Sequence, residues 1–344
     1  MALVFVALGK NFDNLLVDFS QFASNNLPNA KCILITDTPR RYEEFCGFVI
    51  EYRRSIEIDK TISHLQTKRP ELSEVAGGFW FLTLERLLAL STLQNIVEPD
   101  VTVIHLENDI LSFISEETLT VLQRSITKVA FLRWHILANA GILFSPSNLL
   151  LQQFILKLHD LALRPQKFES WTMDMQILKN ALVENYAEEL PTVSGVSQEG
   201  RLILSSDIYL HGRRLICDSG DLGIYLFGRN SVYSKGRIRS GYRYPHINWP
   251  IELAQWRINW VDGKLEKTSN LLLKFNGEEF VIPFLHIASK INLVENSFVK
   301  LRSLLRLNEW VSCATFPSQG LKSPTIHRKR SLKSYLGLIR RNSS

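Results

Sequence analysis

Most of what can be inferred about this fold follows from one stretch, Val101-Thr102-Val103-Ile104-His105-Leu106-Glu107-Asn108-Asp109. Its first half is a short run of mainly apolar residues, which is typical of a buried β-strand. Its second half places two carboxylates, Glu107 and Asp109, directly after that strand with Asn108 between them. Because a carboxylate near the protein interior is costly unless a positive partner neutralises it, the pattern predicts a charged site where the strand ends.

A divalent metal ion that also carries a diphosphate would supply the missing positive charge. Mg²⁺ and similar ions are held by one or two carboxylates together with phosphate oxygens. We therefore predict that Glu107 and Asp109 bind Mn²⁺ or Mg²⁺. The triplet is also compatible with a solvated loop, because Asn and Asp are common turn residues.

Outward from this stretch, short apolar runs alternate with longer amphipathic segments through residue 180. The predicted strands are Leu3–Leu8, Cys32–Thr36, Val101–Leu106, Val129–Trp134 and Ala140–Phe144. The predicted helices are Asn11–Ala23, Phe79–Ile96 and Ser147–Leu163, with Ser145 or Ser147 as the N-cap of the last. Such alternation predicts an α/β fold with a mixed, mostly parallel sheet flanked by helices.

The second half of the sequence is less regular. Asn276-Gly277 separates two apolar segments, Leu271–Phe275 and Glu279–Leu285, and so predicts a β-hairpin. Residues 195–201 are predicted to form a turn-rich loop. The glycines within Asp218–Gly228 do not have the spacing of a phosphate-binding loop, so none is predicted there. We expect one Rossmann-like domain over residues 1–308 and a separate tail over residues 309–344.

Composition narrows the class of protein. With 344 residues, 45% hydrophobic and 22% charged, the chain has the make-up of a globular protein. The four cysteines form no CxxC pair, which argues against a zinc site and a disulfide framework and favours a reducing compartment. The N-terminal apolar run lacks a basic region before it and fits a first strand better than an export signal. We therefore expect a cytoplasmic protein.

Charge is unevenly distributed along the chain. The formal net charge is +6, yet no acidic residue follows Glu309 and seven basic residues do, so the body is nearly neutral. A nucleic-acid-binding body is therefore not expected. Leu332, Tyr335, Leu336 and Ile339 have helical spacing within the basic tail, which predicts either an amphipathic helix on an anionic inner membrane surface or a disordered tail.

Further polar residues lie where a ligand of such a sheet would bind, outside the carboxyl ends of its strands. Thr36-Asp37 ends the second strand, and Asn139-Ala140-Gly141 offers small residues that permit close approach. Asp174-Met175-Gln176 opens a helix, where Asp174 could act as a cap instead. His286 and Lys290 follow the hairpin and are compatible with metal and phosphate binding, or with a strand-end histidine and a surface lysine.

The order of these motifs resembles that of nucleotide-sugar-dependent glycosyltransferases of the GT-A fold, within a group of bacterial glycosyltransferase-like sequences. It is also loosely similar to retaining glycosyltransferase family 8. That family has a D-x-D, an N-(S/A)-G strand, a D-Q pair opening a helix, and a late His with a nearby Lys. Here those places are held by Glu107 to Asp109, Asn139 to Gly141, Asp174 to Gln176, and His286 with Lys290.

The resemblance implies transfer of a sugar from a nucleotide-sugar, most often a UDP-sugar, to a glycan or a lipid-linked acceptor. It assigns Asp109 and His286 to the metal, Glu107 to the metal or to the ribose of the donor, and Asp174 and Gln176 to catalysis. The residues that would bind the nucleotide-sugar are Thr36, Asp37, Arg86, Asn108, Asn139 and Lys290. Retention of anomeric configuration is favoured by the resemblance alone, and Asp174 is the candidate general base if the reaction inverts.

Two other functions are compatible with these residues. A nucleotidyltransferase would share the sheet and the metal carboxylates. It would normally carry a glycine-rich loop after the first strand, where this chain has Gly9-Lys10-Asn11-Phe12. A non-catalytic module could bind the same nucleotide-sugar or a glycan. Such a module should keep its ligand when Glu107 and Asp109 are replaced by alanine.

Overall fold

The computed structural model describes residues 1–9, 14–74, 78–134, 137–165, 173–223, 229–230, 237–238, 249–260, 268–286 and 310–313. Within these ranges the α-helices are α1 (Asn14–Asn26), α2 (Ile56–Lys68), α3 (Glu71–Glu74), α4 (Phe79–Leu88), α5 (Glu116–Ser125), α6 (Asn148–Leu163) and α7 (Met173–Val183). Short 3-10 helices cover Pro39–Arg41, Ala89–Asn95 and Ile251–Leu253.

The strands of the first half are β1 (Ala2–Ala7), β2 (Lys31–Thr36), β3 (Phe48–Glu51), β4 (Val103–Leu106), β5 (Ile110–Ser112), β6 (Val129–Trp134), β7 (Leu137–Ser145) and β8 (Ala187–Glu189). Those of the second half are β9 (Val193–Val196), β10 (Leu202–Leu204), β11 (Tyr209–Leu210), β12 (Arg213–Cys217), β13 (Arg229–Asn230), β14 (Arg237–Ile238), β15 (Gln255–Trp260), β16 (Thr268–Phe275), β17 (Glu278–His286) and β18 (Val311–Ser312). All five strands predicted from the sequence are present.

The central sheet has the strand order β3-β2-β1-β4-β7-β6-β8. β7 runs antiparallel to both of its neighbours, and the other adjacent pairs are parallel. The prediction of a mixed, mostly parallel sheet is therefore confirmed. The chain moves from β1 outward to β3 and then returns to the other side of β1 with β4, so the strand order reverses between β1 and β4.

The second half, expected to be less regular, builds a second sheet in the order β11-β12-β17-β16-β15-β18. β5 also pairs with β17, which ties the segment after β4 to this second sheet. The predicted hairpin is confirmed as β16 and β17, and its turn residues Asn276 and Gly277 have φ values of 47° and 85°. A two-residue turn of this kind requires positive φ at both positions.

The core lies on both faces of the central sheet. On one face, α2, α4, α6 and α7 pack their apolar residues against the strands. On the other face, α1 and α5 pack together with residues of the second sheet, including Leu215, Leu272 and Phe284. No described helix has the length and apolar content needed to cross a bilayer.

Local sequence explains where several helices begin. Ser55, Ser115 and Ser147 each accept a hydrogen bond from a backbone N–H in the first turn of the following helix. A serine N-cap satisfies amides that have no partner within the helix. Ser147 is therefore confirmed as the N-cap of α6. The helix predicted over Phe79–Ile96 is α only as far as Leu88 and continues as a 3-10 helix.

His105, within β4, is expected to lower the stability of the folded protein at acid pH. Its ring is 1% exposed, and Nδ1 lies 3.1 Å from the carbonyl oxygen of Val4 on β1, to which a neutral ring can donate a proton. Burial and the nearby charge of Arg86 together lower the pKa of His105 to about 4, although the hydrogen bond to Val4 opposes the shift. At pH values between about 4 and 6.5, the ring of His105 is therefore neutral in the folded protein and protonated in the unfolded chain.

We expect the free energy of unfolding to fall as the pH decreases from 6.5 towards 4, since the unfolded state then binds a proton that the folded state does not. The His105 contribution to this loss is at most about 3 kcal/mol. His105→Gln removes it, so urea denaturation at pH 7 and pH 4.5 should show a smaller difference for the variant than for the wild type. Equal differences would contradict a neutral buried His105.

Candidate metal centre

The carboxylates predicted from sequence lie on a tight turn between β4 and β5. The backbone N–H of Glu107 donates to the carbonyl oxygen of Gly141 on β7 (2.8 Å), and the N–H of Ile110 donates to the carbonyl oxygen of Glu107 (3.1 Å). These bonds fix both ends of the turn, which places Glu107 and Asp109 at the carboxyl end of β4. Because the strand order reverses between β1 and β4, this is the position where α/β sheets of this kind bind ligands.

His286 is brought to the same place by the second sheet. It is the last residue of β17 and is in register with Ile110 of β5. Its Nε2 lies 3.4 Å from Oδ1 of Asp109, and the two side chains are 12% and 13% exposed. One ligand atom each from Glu107, Asp109 and His286 all lie within 4.8 Å of one another. The site therefore combines residues from two sheets.

This group of side chains fits a divalent metal ion. Ligand atoms in an octahedral shell with bonds of about 2.1 Å lie roughly 3 to 4 Å apart. The side chains would have to approach one another only slightly to reach that spacing. Carboxylate oxygens and imidazole nitrogens are both ligand types that divalent metal ions accept in proteins.

The charges around His286 support this interpretation. Burial alone would lower the pKa of its imidazole, but the charge of Asp109 and the hydrogen bond with it, together with the charges of Glu107 and Asp218, raise the pKa to about 9. The ring is therefore held as a cation between carboxylates when no metal is bound. A metal ligand must be deprotonated, so metal binding at this site would release a proton.

Asp174 lies near these carboxylates, on the first turn of α7. Burial and the negative charge of Glu107 together raise the pKa of its carboxyl to about 6, against hydrogen bonds from Met175 and Thr83 that lower it. Its Oδ1 is buried and has no hydrogen-bond partner among the residues described. As the second residue of α7 it is inside the helix rather than at the cap position considered from sequence. Gln176, two residues further on, is half-buried.

Asn139 and Gly141 lie on β7, opposite the carboxylate turn. The side-chain oxygen of Asn139 accepts a hydrogen bond from the N–H of Gly141 (2.6 Å). A Cβ at Gly141 would lie 3.5 Å from Oε2 of Glu107, so this glycine faces the Glu107 carboxylate. Asn108 is 6% exposed and its Oδ1 is buried without a hydrogen-bond partner in the described part of the chain.

The other predicted binding residues surround the same strand ends. Thr36 ends β2 and is buried, with its hydroxyl accepting from the N–H of Thr38 (3.2 Å). Asp37 is exposed, and its carboxylate accepts a hydrogen bond from the N–H of Gly9 (3.0 Å), which joins the segments after β1 and β2.

Arg86 is half-buried on α4, close enough to His105 for its charge to lower the pKa of that histidine. Lys290 and nearly all of the basic tail lie outside the described residues.

Two residues beside the site had no assigned role in the sequence analysis. Thr83 of α4 is a hydrogen-bond partner of Asp174. Asp218 is 4% exposed, and its carboxylate accepts four backbone N–H bonds, one of them from His286. The glycines after Asp218 do not have the spacing of a phosphate-binding loop, and a bond from the N–H of a residue 68 positions later leaves no signal in the local sequence.

No family model and no curated protein sequence matches the chain. Among solved structures it is similar to the PaToxG glycosyltransferase (14% identity, 54% of this chain and 68% of that one, TM-score 0.36). It is also similar to the galactosyltransferase LgtC in complex with donor and acceptor sugar analogs (13%, 55% and 73%, 0.35) and to the Streptococcus pneumoniae glycosyltransferase GlyE (17%, 55% and 44%, 0.34). At these values they establish no activity for this chain.

Proposed function

We propose that the protein is a metal-dependent glycosyltransferase of the GT-A type. It would move a sugar from a nucleotide-sugar, with a UDP-sugar as the first choice, to a glycan or a lipid-linked acceptor. The observation that carries the proposal is the convergence of Glu107, Asp109 and His286 within 4.8 Å at the strand-order reversal of the sheet. Ligands of open α/β sheets bind at that position, and a metal held there can bind a diphosphate.

The reaction needs stabilisation of negative charge on the departing nucleoside diphosphate. A bound Mn²⁺ would supply this as a Lewis acid. Glu107, Asp109 and His286 would hold it, and the half-buried Arg86 adds a cation near β4. Lys290 is proposed from the sequence to neutralise the diphosphate. Thr36 and Asp37, at the end of β2, would face the base and ribose.

Asp174 is proposed to act at the sugar rather than at the metal. The Asp174 carboxyl is close enough to Glu107 for the charge of Glu107 to raise its pKa. Asp174 nevertheless lies on a different element and is not one of the three residues that could hold the metal. In a retaining reaction Asp174 and Gln176 would position the sugar, and this is the outcome we propose. In an inverting reaction Asp174 would be the general base. The anomeric configuration of the product, measured by NMR, separates these two mechanisms.

The proposal is tested by a screen of nucleotide-sugar hydrolysis. The purified protein is incubated with UDP-, GDP-, CMP- and dTDP-sugars in the presence of Mn²⁺, Mg²⁺ or EDTA, and the released nucleotide is measured. We expect release from one nucleotide class that requires metal. Metal-dependent binding without release, even when glycan acceptors are added, would instead favour the non-catalytic module. If the protein neither binds nor releases any of these nucleotides, the proposed function is contradicted.

A further inference from the structure

The segment from Asp218 to Gly223 contacts both the backbone N–H and the backbone carbonyl group of His286. Oδ1 of Asp218 accepts hydrogen bonds from the N–H groups of Gly220 and Leu222, both at 3.0 Å. Oδ2 accepts from the N–H of Gly223 at 3.0 Å and from the N–H of His286 at 3.1 Å. One buried carboxylate therefore fixes three amides of its own loop and the amide of a residue on another strand.

Gly223 packs against the next peptide unit, at the carbonyl group of His286. A Cβ at this position would lie 1.7 Å from the carbonyl oxygen of His286, which no side chain could tolerate. The N–H of Asp218 also donates to the carbonyl oxygen of Phe284 (3.2 Å), two residues before His286. The loop thus holds the end of β17 on both sides of the histidine.

The described residues support the ring of His286 on one side only. Nε2 faces Asp109, whereas Nδ1 is buried with no hydrogen-bond partner among the residues that the structure describes. Metal-binding histidines are usually oriented by a hydrogen bond from the second ring nitrogen to a carboxylate or carbonyl group. The nearby Asp218 carboxylate instead accepts from the backbone N–H of His286.

We propose that Asp218 is a positioning residue that sets the orientation of the metal ligand His286 through its backbone amide. The inference rests on the proposed function, because it requires that His286 bind the metal. Asp218 touches neither metal nor substrate in this assignment. Its carboxylate fixes where β17 ends, and that determines whether Nε2 reaches the ion held by Glu107 and Asp109.

The test is the affinity of the metal-free protein for Mn²⁺, measured by calorimetric titration of wild type and Asp218→Asn. The amide NH₂ of asparagine cannot accept hydrogen bonds, so the variant must lose some of the bonds that hold the loop and His286. We expect Kd to rise about 10- to 100-fold, the usual effect of losing a partner that orients a metal ligand. Asp221→Asn, which removes the same charge from the same loop, should leave Kd within a factor of about two of wild type.

A purely structural role is separated by repeating the comparison in a His286→Ala background. A positioning residue that acts through His286 has little further effect on Kd once that ring is absent, because the two substitutions are coupled. A structural residue lowers the melting temperature by the same amount in both backgrounds and leaves Kd unchanged in both. If Asp218→Asn does not fold, Asp218→Glu retains the charge but displaces it by one methylene and is measured instead.

Three outcomes are distinguishable. Weakened Mn²⁺ binding that disappears in the His286→Ala background supports the positioning role. Wild-type affinity in the Asp218 variant overturns it and leaves the proposed function intact. Absence of Mn²⁺ binding to the wild-type protein overturns both, since His286 would then be no ligand.

Discussion

Replacing Asp109 by alanine will abolish metal-dependent turnover, lowering kcat/KM for the nucleotide-sugar by about 10³-fold or more. Its Oδ1 lies 3.4 Å from Nε2 of His286, and Asp109 is one of the three residues proposed to hold the ion. Removing one of two carboxylates leaves too few ligands to hold a divalent ion against its hydration shell. The electrostatic stabilisation of the leaving diphosphate, worth several kcal/mol, is lost with the ion.

The measurement is the rate of nucleotide release with and without Mn²⁺, together with the rise in melting temperature that Mn²⁺ causes. Ligand binding to the folded state alone raises apparent stability, so this rise should vanish in the variant. The pKa of His286 should also fall, because the charge of Asp109 is what chiefly opposes the effect of burial. Asp100→Ala, an exposed carboxylate just before β4, is the matched control. Full Mn²⁺-dependent turnover in Asp109→Ala would exclude the assigned ligand set.

Asp174→Asn will separate activity from stability. We expect the rate to fall about 10²- to 10⁴-fold, the range for loss of a group that handles a proton or orients the reacting atoms. We also expect the folded state to be at least as stable as wild type at pH 7.5. The carboxyl has its pKa raised to about 6, so its ionised form is disfavoured in the folded protein and asparagine avoids that cost.

The sign of the pH effect follows from the raised pKa. The folded protein binds this proton more tightly than the unfolded chain, so the contribution of Asp174 to stability is lost as the pH rises from about 4 to about 6. The full difference is at most about 3 kcal/mol. Melting curves of the metal-free proteins should therefore diverge over this range, with the variant more stable at the upper end. Asp160→Asn on the exposed side of α6 should show no such divergence. A less stable Asp174→Asn at pH 7.5 would contradict the environment assigned to this carboxyl.

The sequence was sufficient for the central part of the sheet. β1, β2 and β4 are buried along nearly their whole length, so their sequences are apolar runs that are easily recognised. Parallel strands end at the same edge, and residue order alone therefore predicts that Glu107, Asp109, Thr36 and Asp37 share that edge. The helix predicted over Phe79–Ile96 changes to 3-10 geometry after Leu88, which its apolar spacing does not signal.

Other elements left no local pattern to recognise. β3 is an edge strand whose Phe48 and Val49 are exposed, and β5 has only three residues. The second sheet joins β12 to β17 and β17 to β5, segments far apart in the sequence. The approach of His286 to Asp109 and the bond from its amide to Asp218 depend on these pairings. Their geometry therefore could not be read from residue spacing.

The pairing of β5 with β17 means that an ion bound at the proposed site would also connect the two sheets. Glu107 and Asp109 belong to the first part of the chain, and His286 belongs to a strand formed much later in the sequence. An ion bound to all three would cross-link the two sheets and close a long loop, in the manner of a disulfide bridge that can be removed by a chelator. Occupancy by metal would then govern how firmly the second sheet is attached to the first.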